Sequence, residues 1–180
     1  VLSNLLKLLA FQIASEVSYT ELANKLRVDQ TVVQRYIQLL EDGFIIFRLK
    51  ALKRNLHNEI GKSRKIYFWD LGVRNMIIQN TNLLGLRNDE GALWENFCVA
   101  EREKFLNYNI PRTANSYFWR TYSQKEIDLI EENGDHFSAF EFKWKTGKQV
   151  RFPADFRKAY PKTVFKTITP DNFATEIYQH

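Results

Sequence analysis

Only one cysteine, Cys98, and three histidines, His57, His136 and His180, occur in the 180 residues. An internal disulfide is therefore excluded, and the histidines lie too far apart for a His/Cys zinc spacing. No apolar run approaches the roughly 20 residues that cross a bilayer. The opening VLSNLLKLLAFQIASEVS has neither a basic n-region nor a small-residue cleavage site, so a cytoplasmic location is the simplest expectation. A nucleotide site is lacking too. Gly61-Lys62-Ser63 ends like a phosphate loop, but the glycine such a loop needs at position 56 is Leu56.

What remains is globular. Hydrophobic residues make up 44% and aromatics 14%, enough to fill a core and to argue against disorder. The net charge of +5 is unevenly placed: residues 1–80 hold 12 basic and 7 acidic residues, residues 81–180 hold 14 of each. The basic excess points to an anionic partner such as nucleic acid, or else to a solvated basic face.

Leu2, Leu5, Leu6, Leu9 and Ile13 recur at helical spacing in LSNLLKLLAFQIAS. Thr20 can cap a helix over TELANKL, RVDQ makes a turn, and TVVQRYIQLLED forms a third helix stopped by Gly43 as its C′ residue. FIIFRLKAL and KIYFWD read as strands around a polar loop. This is the order of a winged helix-turn-helix. Its third helix offers Gln30, Thr31, Gln34, Arg35 and Gln38 to bases and phosphates, and the wing adds Arg48, Lys50, Lys53, Arg54, Lys62, Arg64 and Lys65. The competing role is a protein-docking spacer.

A second domain is expected over 81–180, after a first over 1–80. GALWENFCVAEREKFLNY is a helix of about 16 residues with apolar positions nearly all round, which implies burial against a sheet. Glu95 falls on its buried arc and must be paired, protonated or liganded; Arg102 is a candidate partner. Strands follow at NSYFWRTY, KEIDLIEE and HFSAFEFKWK, then a helix near 152–159 and a last strand. Asn133-Gly134, read as a two-residue type I′ loop, pairs Asp128 with Ala139 and Glu126 with Glu141. Glu126, Asp128, Glu141 and Lys143 then project to one side, with Asp128 and Glu141 as diagonal neighbours. Two carboxylates so placed can hold Mg²⁺ or Mn²⁺, which activates water, and a lysine two residues on can neutralise a phosphate. The bland alternative is a solvated polar face.

A helix with an inward acid, then EIDLI, then AFEFKWK resembles the PD-(D/E)xK, restriction-endonuclease-like, arrangement. More widely, the winged helix, KIYFWDLGVRN, GALWENFCVAE, YFWRT, EIDLI and AFEFKWK in that order resemble the C-terminal region of a large prokaryotic family of AAA-type ATPases, over about residues 1–170. The resemblance implies an α/β (α+β) fold, a winged helix-turn-helix followed by a restriction-endonuclease-like mixed sheet flanked by helices. It implies a partner ATPase domain preceding this chain, which fits the start at Val1. It assigns Glu95 as the helix acid, Asp128 and Glu141 as ligands of Mg²⁺ or Mn²⁺, Lys143 as the catalytic lysine, and Arg120 as a phosphate contact. Ile127 stands where the pattern has proline. Three readings compete: a metal-dependent nuclease on a DNA-binding winged helix, a catalytically inert nucleic-acid- or protein-binding module of the ATPase, and a stand-alone regulator with a ligand-sensing second domain.

Overall fold

The computed structural model describes residues 1–53, 63–109, 111–112, 114–147 and 150–179. Helices α1 (Leu2–Phe11), α2 (Tyr19–Leu26) and α3 (Gln30–Asp42) precede β1 (Ile46–Ala51) and β2 (Arg64–Phe68). The N-terminal helix ends earlier than its leucine spacing implies, because the chain turns at Ala14, which has φ of 56°. The cap of α2 is Ser18, not Thr20: the Glu21 N–H donates to the Ser18 hydroxyl at 3.3 Å. Asp29 caps α3 by accepting from Thr31 N–H.

Gly43 ends α3 without using its conformational freedom, since its φ is −82°. The left-handed residue is Phe44, at φ 53° and 78% exposed. The Ile45 N–H reaches the Leu40 carbonyl and the Phe44 N–H reaches that of Glu41, which is the Schellman pattern with a phenylalanine where glycine is favoured. Phe44→Gly should therefore raise stability by about 0.5–1 kcal/mol, the left-handed strain outweighing the added freedom of the unfolded chain. Urea unfolding would show it as a higher midpoint with an unchanged slope.

Next come α4 (Leu71–Ile77), capped by Asp70, a 3₁₀ turn (Leu84–Leu86), α5 (Glu90–Tyr108), β3 (Asn115–Arg120), β4 (Glu126–Asn133), β5 (His136–Phe142), α6 (Ala154–Ala159), β6 (Val164–Ile168) and α7 (Phe173–Glu176). The described strands form one six-stranded mixed sheet in the order β2-β1-β3-β4-β5-β6. β1 runs parallel to β3 and β5 to β6; the other pairs are antiparallel. The two strands expected as a wing are thus the end of the same sheet as the later strands.

Alternation along β2 explains how the strands serve both parts. Ile66 and Phe68 enter a core with Leu5, Leu9, Leu22, Val33 and Ile37 of the first three helices. Tyr67, between them, enters the core under α5 with Trp94, Cys98, Val99, Phe118, Leu129 and Phe140. The far face of the sheet packs Trp119, Ile127, Ile130 and Ala139 against Phe156 and Tyr160 around α6.

The outer edge of β2 has its backbone partners. The carbonyls of Arg64 and Ile66 accept from the N–H groups of Val17 and Ala14. The Asn96 amide of α5 both accepts from Phe68 N–H and donates to Phe68 C=O, each at 2.8 Å. Arg74 of α4 clamps the two halves: it is buried, donates to the Ala10 carbonyl at 2.8 Å, and pairs with Asp89 at the start of α5 at 2.6 Å.

Candidate active site

The hairpin between β4 and β5 turns one residue later than its Asn-Gly dipeptide implies. Asn133 pairs with His136, so the two-residue loop is Gly134-Asp135, with Gly134 at φ 60°. Glycine in the first loop position is the type II′ arrangement. Leu129 pairs with Phe140 and Ile130 with Ala139, so the expected pairing of Asp128 with Ala139 does not form.

β4 also carries a bulge. Tyr117 pairs with Ile130 and Trp119 with Ile127, so Asp128 and Leu129 together oppose Phe118. The bulge swings Asp128 toward α5. Its carboxylate nonetheless accepts the Phe142 N–H at 2.9 Å, across on β5. The single-face arrangement expected for the four charged residues is not what forms. Glu141 lies between Phe140 and Phe142, both in the core under α5, so the pleat turns its Cβ away from that helix. Asp128, on the bulge, is the link between an α5 side and a β5 side.

On the α5 side, Glu95 accepts from Lys65 Nζ and from the Tyr67 hydroxyl, both at 2.8 Å. Lys65 also pairs with Glu126. The expected Arg102 partner is elsewhere, in a forked pair with Glu131 at 2.5 and 2.8 Å. On the β5 side, Lys143 donates to Glu141 at 2.7 Å. Arg120 pairs with Glu16 at 2.5 Å and lies 3.7 Å from Glu126, so its guanidinium is engaged by carboxylates.

Burial of so many acids has an electrostatic cost. Burial, with the nearby Asp128 carboxylate, pushes Glu95 up to about 7, against the pull of Lys65 and Tyr67. Burial and Asp128 likewise push Glu141 up to about 7, against Lys143. Asp128, 8% exposed, is raised by burial although Lys65, the Phe142 N–H and Lys143 favour its charge. Burial opposes the Lys65 ammonium, but Tyr67, Glu95, Asp128 and Glu126 raise its pKa well above the ordinary lysine value. Lys143 is raised in the same sense by Glu141, Asp128 and Glu95 over its burial. Both lysines therefore stay cationic, Lys65 beside Glu95 and Lys143 beside Glu141.

The residues expected to meet nucleic acid fall into distinct groups. Gln30, Thr31, Gln34, Arg35, Gln38, Lys50 and Lys53 are exposed. Within that set, the Thr31 hydroxyl is bonded to Asp29, while Gln38 donates to Asp42 and accepts from Arg48. Arg48 is also paired with Glu41, and Arg64 lies over the Tyr19 ring. Arg54 and Lys62 lie outside the described residues. Lys65 is not a wing surface residue at all: it is 2% exposed and belongs to the acidic cluster. The signal for this was present in the alternation of KIYF, where Lys65 shares a strand face with Tyr67 and not with Ile66 or Phe68. Among the described residues, no three of His, Cys, Asp and Glu gather closely enough to hold a metal ion by themselves, and no helix is long and apolar enough to cross a membrane.

Residues 1–87 match the model of one domain of unknown function, DUF8612, and residues 90–174 that of another, DUF4143. Over 128 residues the chain is 33% identical to an uncharacterized protein of Mycobacterium tuberculosis and, equally, to one of Mycobacterium bovis. Those alignments cover 70% of this chain but 28% of each relative, so the chain matches less than a third of their length. No solved structure matches it significantly.

Proposed function

We propose that this chain is the C-terminal part of a prokaryotic AAA-type ATPase, a winged helix that engages DNA joined to a Mg²⁺- or Mn²⁺-dependent phosphodiesterase site. DUF4143 domains commonly occur in proteins associated with AAA-type ATPases, which supports the first half of that reading. The second half rests on one observation: Lys65 pairs with Glu95 and Glu126, Lys143 pairs with Glu141, and the buried Asp128 carboxylate acts on both Glu95 and Glu141, each raised to about 7.

Carboxylates that raise one another are a donor set that a divalent cation relieves, and hard oxygen ligands suit Mg²⁺ or Mn²⁺. Asp128 and Glu141 would hold the ion, with water completing a coordination shell that Mg²⁺ ordinarily keeps. Bound there, the ion would lower the pKa of a water and offset charge developing on phosphorus. Lys143, bonded to Glu141, is placed to neutralise a non-bridging phosphate oxygen. Glu95 accepts from Lys65 Nζ and the Tyr67 hydroxyl, which would hold its carboxyl in place beside the Asp128 carboxylate.

A catalytically inert nucleic-acid- or protein-binding module is the second reading. It is favoured by Lys65, which already neutralises Glu95 and Glu126 as a structural ion pair would. Incubation with plasmid, single-stranded DNA and RNA in Mg²⁺ and in Mn²⁺ separates the two. The first reading expects cleavage that disappears in Glu141→Ala and Lys143→Ala. Absent cleavage, or cleavage surviving both changes, leaves the second.

A further inference from the structure

The two domain matches meet between residues 87 and 90, yet the acidic cluster crosses that line. Glu95, Glu126, Asp128, Glu141 and Lys143 lie after it. Lys65 and Tyr67 lie before it, on β2, the strand that also completes the core of the first three helices. We propose that Lys65 is a positioning residue of the phosphodiester site, supplied by the winged-helix half, so that the working site is composite. The inference rests on the nuclease reading and deepens it.

Three observations carry it. First, Lys65 is buried to 2% exposure and paired on two sides, with Glu95 and with Glu126, while its ammonium lies over the Phe118 ring, 5.6 Å from the centroid. A lysine taken this far from water has its geometry fixed by its partners. Second, those partners come from two different elements, α5 and β4, so the ammonium sets their separation. Tyr67, one strand period away on the same face, bonds the same Glu95 oxygen. Third, Glu126 and Glu95 both act electrostatically on Asp128 or feel it. Holding them in place with a cation keeps two further carboxylates from collapsing onto a metal at Asp128 and Glu141.

A chain of contacts continues from this lysine to the helix-turn-helix. Lys65 pairs with Glu126, Glu126 approaches Arg120, and Arg120 pairs with Glu16. Glu16 sits between α1 and α2, accepts from the Ser63 hydroxyl, and forms a backbone bridge to Lys65 itself. The first half of the chain therefore touches the site at Lys65, Tyr67 and, through Arg120, Glu16.

The test uses the full chain and two readouts: Mn²⁺ binding by calorimetry, and steady-state cleavage of single-stranded and duplex DNA in Mn²⁺. For Lys65→Met, kcat is expected to fall about a hundredfold, the size seen when one preorganised electrostatic group is removed. KM stays unchanged, and Mn²⁺ binds at least as tightly because a competing cation is gone. Lys65→Arg should recover part of kcat. A lysine that only glues the halves together predicts that Mn²⁺ affinity, cleavage and thermal midpoint fall in parallel, and that outcome overturns the proposal. Should Lys65→Met not fold, Lys65→Met with Glu95→Gln removes both members of the Lys65–Glu95 pair. It should cut at least tenfold more slowly than Glu95→Gln alone; equal rates overturn the proposal. Wild-type protein that neither binds Mn²⁺ nor cleaves sinks the nuclease reading itself, whereas wild-type activity with an unaffected Lys65→Met sinks only this inference.

Discussion

Arg102→Leu is expected to destabilise the protein by about 3–5 kcal/mol, the cost of leaving one member of a buried ion pair alone. Arg102 and Glu131 are each about 5% exposed and joined by two hydrogen bonds. The second guanidinium nitrogen donates to the carbonyls of Ile177 at 2.6 Å and Gln179 at 2.5 Å, and the plane lies 5.0 Å from the Phe105 ring and 5.5 Å from that of Phe140. One side chain thus ties α5, β4 and the C-terminal segment together. Leucine would strand the Glu131 carboxylate and two carbonyls at once. For a chain of this size the loss corresponds to a fall in Tm of about 10 °C. The companion change decides the cause: Arg102→Leu with Glu131→Leu should recover most of the stability, because two apolar groups replace two buried charges. Equal instability of the single and double variants would show that the carbonyl contacts, not the charge pair, carry the effect.

The second large effect is on the pH dependence of stability. Glu95 and Glu141 are raised from 4.5 to about 7, so each binds its proton more tightly in the folded chain than in the unfolded one. Stability from these groups is fully present below about pH 4.5, is lost as pH rises, and has gone once pH passes about 7. Each shift corresponds to about 3 kcal/mol; since both feel the same Asp128, the joint effect should be smaller than the sum. Asp89 acts in the opposite direction. Arg87, together with Arg74, holds its carboxyl well below the ordinary 3.8, over the opposing effect of burial, and that contribution is lost as pH falls below about 4. Maximum stability is therefore expected between about pH 4 and 5, and denaturant midpoints measured from pH 3 to 8 would show it. Mn²⁺ should reverse the alkaline side, since a cation favours the charged carboxylates: the thermal shift it produces should grow from pH 5.5 to 8 and vanish in Asp128→Ala. A flat profile from pH 4.5 to 7 would mean that the acids are relieved in some other way.

Much of the molecule could be read from side-chain spacing alone. Helices α1 to α3, α5 and α6, the strands and the placement of Glu95 on a buried arc follow from periodicity, which local sequence carries directly; α4 and α7 were not read. What escaped was set by competition between neighbours. Ser18 and Thr20 can both cap a helix, and only the path of the preceding turn selects Ser18. Asn133-Gly134 and Gly134-Asp135 can both form two-residue loops, and the pairing of the flanking strands selects the second. Lys65 was hidden by its setting among the basic residues expected to form a wing, Arg48 to Lys65. The alternation of KIYF puts it on the Tyr67 face, but the depth of its burial depends on α5, which arrives from 25 residues or more downstream. The bulge at Asp128 is similarly the product of two strands whose registers disagree.

The Asn96 amide behaves toward Phe68 as though it were one residue of a seventh strand. With the carbonyl of Arg64 taken by Val17 and that of Ile66 by Ala14, β2 presents no free ladder to another molecule at these residues. Open sheet edges recruit foreign strands and seed aggregation. Of the two ends of this sheet, the one packed on the first three helices is thereby sealed from within. Any lengthening of the sheet, by a partner's strand or by a second copy of the chain, is directed to β6 at the opposite end.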